Sequence, residues 1–87
     1  MKRLYKPREY AIYFQWKYEP IPDDPNCNYI YDGSEDSIIV ESALERDVEI
    51  KDMIRRNDFQ YIAWCQIYSN GEFGPDHVII DTRISEI

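Results

Sequence analysis

The sequence predicts a small α+β domain in which one amphipathic helix packs on one face of an antiparallel sheet of three to four strands. Three observations predict it: an N-terminal segment of alternating apolar residues, a segment with helical period, and two more alternating segments separated by a turn. In chain order they read β-α-β-β, a pattern typical of α+β folds. Residues 1–87 are enough for one domain with a modest core.

The first strand is predicted over residues 9–18, EYAIYFQWKY. Alternation with period two and a high content of aromatic residues favour a strand. One face of this strand would carry Tyr10, Ile12, Phe14, Trp16 and Tyr18. We expect this face to pack against the helix.

The segment after the first strand is predicted to be an acidic, proline-containing loop, residues 19–36. Three prolines in EPIPDDPN remove amide donors and fix φ, which excludes both a helix and a central strand. Within this loop, NYIY at residues 28–31 is the one stretch that favours a short strand.

The helix is predicted over residues 43–56, where Ile50, Met53 and Ile54 gather on one face. Its start is open between two alternatives. Ser37 could cap a longer helix of about 20 residues, or Ser42 and Glu45 could form a capping box and leave SIIV as a short strand.

Two more strands are predicted in the C-terminal third, over residues 58–69 and 76–84. Between them NGEFGP is a turn signal, so the two strands form a hairpin. The first of them has apolar residues on both faces, which favours a central position in the sheet.

Charge is the strongest compositional signal, because the net charge of −7 is unevenly distributed. Residues 1–17 carry a net charge of +4, and residues 18–87 carry −11. We expect residues 1–8 to form a flexible basic arm. The acidic main body argues against direct binding of nucleic acid or of an anionic membrane, and favours a basic partner.

We also expect a cytoplasmic protein without a cofactor. No apolar run approaches the ~20 residues of a membrane span, and no apolar signal-peptide core follows the basic start. Cys27 and Cys65 would then be reduced, and they lack the spacing of a zinc site.

Residues 24–35 have the ligand spacing of an EF-hand calcium loop. The candidate ligands are Asp24, Asn26, Asn28, Asp32 and Glu35. The glycine required at the sixth position is replaced by Tyr29, and the prolines exclude the entering helix. We therefore interpret this segment as an acidic loop and predict no calcium affinity tighter than millimolar.

A second candidate site is the pair Cys65 and His77. If the last hairpin turned around residues 69–75, these two side chains would be diagonal neighbours on one face, as a thiolate–imidazole pair requires. A free cysteine between core residues is more often a small apolar side chain. Since no catalytic motif is present either, we predict that the protein is not an enzyme.

The acidic residues give the main functional hypothesis. At helical spacing, Glu41, Glu45, Glu49 and Asp52 would form one stripe opposite the apolar face. Backed by the acidic loop, they give this predicted partner-binding set: Asp23, Asp24, Asp32, Glu35, Asp36, Glu41, Glu45, Glu49 and Asp52. A row of carboxylates resembles the charge of a nucleic-acid backbone.

We therefore expect a small inhibitor that occludes a basic, nucleic-acid-binding site on another protein. Acidic single-domain inhibitors of restriction, CRISPR or transcription machinery from phages and mobile elements have this size and charge, which is an analogy only. The alternative is a homodimeric structural or assembly subunit that uses the aromatic strand face, Tyr10 to Tyr18, as its interface. An enzyme with a Cys65/His77 pair is the third hypothesis.

Overall fold

A computed structural model describes residues 7–83 as six strands and one α-helix. These are β1 (Pro7–Trp16), β2 (Tyr18–Pro20), β3 (Tyr29–Asp32), β4 (Glu35–Val40), α1 (Ala43–Arg56), β5 (Phe59–Tyr68) and β6 (His77–Asp81). The predicted α+β class is confirmed. The predicted basic arm lies outside the described residues, except that Pro7 and Arg8 already belong to β1.

The main sheet has four strands in the order β4-β1-β5-β6, and all neighbours are antiparallel. In the centre, Ile12 of β1 lies opposite Ile38 on one side and Trp64 on the other. Since β4 and β5 are both antiparallel to β1, they are parallel to each other, and α1 connects them across β1. This split β-α-β arrangement fixes which side of the helix adjoins which strand.

The predicted loop 19–36 is more ordered than expected. β2 and β3 pair as a two-stranded sheet, which we call the hairpin arm (residues 18–32). The arm continues the β1–β4 hairpin past a bend at Gly33, whose φ of 77° favours glycine. The short strand expected near NYIY is confirmed as β3. Prolines are tolerated here because a two-stranded ribbon has open edges that do not need every amide donor.

The shorter alternative for the helix start is confirmed. The Ser42 hydroxyl oxygen accepts a hydrogen bond from the Glu45 amide at 3.1 Å, and the Glu45 carboxylate accepts one from the Glu41 amide at 3.2 Å. The β-branched run before it forms β4 instead of a first helical turn. At the other end, Asn57 closes the helix in the left-handed conformation.

The main core lies between α1 and one face of the sheet. Ile12 and Ile62 have no exposed surface, and Ile50 and Met53 pack on them from the helix. Trp16 is half-buried at the end of this cluster, so the prediction that the aromatic face packs against the helix is confirmed from Tyr10 to Trp16. It is wrong for Tyr18, which belongs to β2 and is 62% exposed. The prediction for Ile54 is wrong: it is 44% exposed, because the buried stripe of α1 is centred between Ile50 and Met53.

The opposite face of the sheet is not covered by any element within residues 7–83. Ala11, Cys65 and Ile67 form a small buried cluster there, with Tyr13 packed against it. Large apolar side chains on the same face are exposed, including Ile39 at 60% and Val78 at 55%. We call this surface the open sheet face.

Candidate functional site: an acidic flank beside the edge strand

Helix α1 has two different flanks. One flank, with Asp47 and Lys51, lines a cleft together with Trp64 of β5 and Ile79 of β6. This flank therefore faces β6. Glu45, Glu49 and Asp52 lie on the opposite side of the buried stripe at 100° per residue, so they face the edge strand β4.

The prediction of an acidic stripe on the helix is wrong for Glu41 and for the side of the helix on which the stripe lies. Glu41 precedes α1, so only Glu45, Glu49 and Asp52 share the helix, over about 10 Å. They lie on its flank and not opposite its apolar face. The solvent-facing side instead exposes Leu44 at 74% and Val48 at 57%.

Strand β4 adds one carboxylate to this flank. Asp36 pairs with the core residue Phe14 and therefore shares the helix-covered face of the sheet. Its neighbour Glu35 pairs with Gln15 and lies on the open sheet face. The pKa of the Arg83 guanidinium is raised mainly by Asp81, with smaller contributions from Tyr61 and Glu35. The group on the β4 side, which we call the acidic flank, consists of Asp36, Glu41, Glu45, Glu49 and Asp52.

The other predicted carboxylates belong to the hairpin arm. Asp23 and Asp24 lie at its tip, where Asp24 accepts a hydrogen bond from the Asn26 amide at 2.8 Å. Asp32 lies at its base and accepts one from the Ser34 amide at 3.0 Å. Hydrogen bonds from Ser34 lower the pKa of Asp32 and keep it ionised. The nine predicted residues thus divide between the acidic flank, the arm and Glu35.

The five EF-hand candidates do not converge. Asp24 and Asn26 lie at the tip of the arm, and Asp32 and Glu35 lie at its base, on the far side of β3. An extended strand of four residues separates the two groups by about 13 Å, too far for one ion. Within residues 7–83, no three His, Cys, Asp or Glu side chains form a cluster suited to a metal ion.

Most of the acidic flank lacks a compensating cation. Asp52 is paired with Arg55 at 2.6 Å. Outside the flank, Asp47, Asp58 and Asp81 are paired with arginines as well. Over the described part of the chain, no salt bridge reaches Asp36, Glu41, Glu45 or Glu49. These four carboxylates form the uncompensated charge of the flank.

The proposed pairing of Cys65 with His77 is wrong. His77 lies opposite Trp64 and stacks on its ring with the centroids 4.2 Å apart, on the helix-covered side. Cys65 is buried on the open sheet face, where its sulfur lies 3.8 Å from the Tyr13 hydroxyl. The hairpin turns earlier than predicted, at Asn70–Gly71, which shifts the register and puts the two side chains on opposite faces.

Sequence reasoning missed a polar group at the base of the hairpin arm. The Tyr31 hydroxyl donates a hydrogen bond to the Asp58 carboxylate at 2.5 Å, and Arg56 pairs with the same carboxylate at 3.1 Å. The pKa of Asp58 is lowered mainly by the hydrogen bond from the Tyr31 hydroxyl, and to a smaller extent by Arg56. Only the abundance of tyrosine pointed to such contacts, because Tyr31 and Asp58 are far apart in the chain.

Replacing Asp58 with Asn is expected to weaken the dependence of stability on acid pH. The pKa of Asp58 is lower in the folded protein than in the unfolded chain, where it is about 3.9. The ionised Asp58 therefore stabilises the fold above about pH 3.9, and this stabilisation is lost as pH falls through the folded pKa. Urea unfolding from pH 7 to 2 should show the wild-type and Asp58→Asn stabilities converging in acid. Asp76→Asn, at an exposed position, is the control and should leave the curve unchanged. If the free energies of unfolding of the wild type and Asp58→Asn differed by the same amount at all pH values, the prediction would be contradicted.

Comparisons with known proteins return no relationship: no family model, curated protein or solved structure matches this chain. Within the described range, no helix is both long and apolar enough to cross a membrane. The geometry of the chain itself is therefore the basis for the functional proposal.

Proposed function

We propose that this chain is a small, non-enzymatic binding module whose acidic flank occupies a basic site on another protein. The observation that carries the proposal is the position of Asp36, Glu41, Glu45 and Glu49, on one side of the molecule and without a salt-bridge partner among the side chains of residues 9–83. The repulsion between Glu45 and Glu49 costs a few tenths of a kcal/mol. A cationic partner surface would remove that cost.

The class of partner follows from the spacing of charge. On α1 the carboxylates repeat at about 4–6 Å along the axis, comparable to the ~3.4 Å spacing of phosphates along one nucleic-acid strand. A surface lined with Lys and Arg to hold nucleic acid would accept such a row. We therefore propose a cytoplasmic nucleic-acid-handling complex as the partner and inhibition by occlusion as the activity, as for anti-restriction or anti-CRISPR proteins.

Affinity capture with matched baits tests this proposal. The wild-type chain is immobilised beside two variants of equal net charge: Glu41→Gln/Glu49→Gln on the flank, and Glu72→Gln/Asp76→Asn in the β5–β6 connection. The expected partner binds the wild-type and control baits, is captured in smaller amount by the flank variant, and elutes with salt. Once purified, it should lose nucleic-acid binding when the wild-type chain is added. A partner that binds all three baits equally would overturn the proposal.

Self-association is a second candidate function, but not through the predicted face. The aromatic face of β1 forms the core, with Phe14 only 8% exposed, so it cannot also be a dimer interface. The open sheet face is the specific observation that favours a second copy. Its apolar centre, with Ile39 and Val78 exposed and Glu35 and Asp81 at the margin, has the composition of a protein interface.

The substitution Ile39→Lys is expected to abolish self-association if the open sheet face joins two copies, because a buried lysine without a partner is unfavourable. Sedimentation equilibrium of the wild type should then show a dimer and the variant a monomer. Val48→Lys, on the solvent-facing side of α1, is the matched control and should remain a dimer. A monomeric wild type would exclude this second candidate.

A further inference from the structure

A cleft of about 350 Å³ opens at the base of the hairpin arm, where β3 passes the end of β1. We call it the aromatic cleft, and its lining residues are Trp16, Tyr29, Ile30, Tyr31, Asp32 and Ser34. The Trp16 and Tyr31 rings stack with their planes within 13° of each other and their centroids 5.7 Å apart. Tyr29 and Ile30 remain 43% and 53% exposed, so this surface is open to a ligand.

One acidic residue, Asp32, is among the residues that line the cleft. Asp32 is exposed, accepts one hydrogen bond from the Ser34 amide, and has no cation within salt-bridge distance in the described structure. The cleft therefore combines flat π-faces with an unpaired negative charge. That combination is complementary to a planar, delocalised cation, which can stack on a ring and also donate to a carboxylate.

The chain shows this recognition with its own arginines. The Arg83 guanidinium lies 4.1 Å from the centre of the Tyr61 ring and donates to both Asp81 oxygens at 2.9 Å. Arg46 likewise lies 4.0 Å from the centre of the Trp64 ring and pairs with Asp47 at 2.9 Å. In both places the arginine contacts an aromatic ring and a carboxylate, and Arg46 also lies 4.8 Å from the centre of the Tyr10 ring. The aromatic cleft offers the same two groups.

We infer that the aromatic cleft binds an arginine side chain of the partner protein. The guanidinium would lie against the tyrosine rings and bond to Asp32, and the aliphatic part of the side chain would contact Ile30. This inference rests on the proposed function and names the side chain that the basic partner supplies. Lysine fits less well, because its compact, strongly hydrated ammonium cannot lie flat on a ring or bond to a carboxylate through a planar fork.

Titration with N-acetyl-arginine amide and N-acetyl-lysine amide, followed by ¹H–¹⁵N NMR of the full chain, tests the inference. Arginine amide is expected to shift the resonances of residues 29–34 and of the Trp16 indole, with an affinity two- to fivefold higher than that of lysine amide. A factor of this size is about what one weak contact contributes at an exposed site. Tyr29→Leu, which keeps an apolar wall, should remove the preference, and Asp32→Asn should weaken arginine binding about two- to fivefold.

Asp23→Asn is the matched control, since it removes a carboxylate from the same arm outside the cleft, and it should leave arginine binding unchanged. Equal affinity for the two amides, or equal loss in Asp32→Asn and Asp23→Asn, would overturn the inference. The proposed function is tested separately with the captured partner. If the flank variant weakens that complex and Asp32→Asn does not, the inference fails and the function stands. If neither variant weakens it, both fail.

Discussion

Replacing Trp16 with Ala is expected to lower the free energy of unfolding by about 3 kcal/mol, the lower end for a buried aromatic, because Trp16 is half-buried. Its ring contacts three others: Phe59 at 4.5 Å, Tyr31 at 5.7 Å and Phe14 at 6.2 Å between centroids. It thereby joins the hairpin arm to the main core. For a domain of this size the loss corresponds to a melting temperature lower by about 12–24 °C.

The matched control is Tyr18→Ala, which removes an aromatic ring two residues further along. Tyr18 is 62% exposed and contacts mainly Tyr29, so we expect a loss of less than about 1 kcal/mol. Thermal unfolding by circular dichroism measures both variants. If they lost equal stability, Trp16 would not be part of the core, and its ring would be free to serve as a binding surface.

The Glu41→Gln/Glu49→Gln variant is expected to bind the basic partner about three- to tenfold more slowly at low salt, with the dissociation rate changed less. Exposed charges act strongly on the association rate, because they steer the encounter over a Debye length of about 10 Å. The dependence of the association rate on salt should also become less steep. Surface plasmon resonance at two or three salt concentrations gives both quantities.

Glu45 is left in place in this variant because its carboxylate accepts the Glu41 amide and lies at the positive end of the helix dipole. Removing it would change stability as well as charge. The flank variant should unfold within about 0.5 kcal/mol of the wild type, since Glu and Gln have similar helix propensities. The Glu72→Gln/Asp76→Asn control should bind as the wild type does. Equal slowing of both variants would mean that net charge alone matters and that the acidic flank is only a solvated surface.

The local sequence pattern was sufficient to predict most of the strands and the helix. The alternation in residues 9–18 predicted the helix-covered face of β1, and the capping box at Ser42 and Glu45 was one of two starts allowed for α1. What remained open needed a contact distant in sequence. The run 37–40 is compatible with a helix or a strand by itself, and its pairing with β1 decides for β4.

The residues of the candidate site were less predictable than the elements. Asp36 and Glu35 are adjacent and chemically alike, yet the pairing of β4 with β1 places them on opposite faces of the sheet. In the same way, the early turn at Asn70–Gly71 separates Cys65 from His77. A shift of one residue in a strand reverses its face, and the sequence of one strand does not specify its register.

By itself, then, the sequence determined the fold class, the end of α1 and the excess of acid after residue 17, because periodicity, capping and charge are local properties of the chain. Only the tertiary structure decided which carboxylates lie together and which lack a cation. That outcome depends on the path of α1 across β1, which turns the flank of Glu45 and Glu49 toward β4 and leaves the other flank facing β6. It depends equally on the bend at Gly33, which brings Trp16 and Tyr31 together and so forms the aromatic cleft.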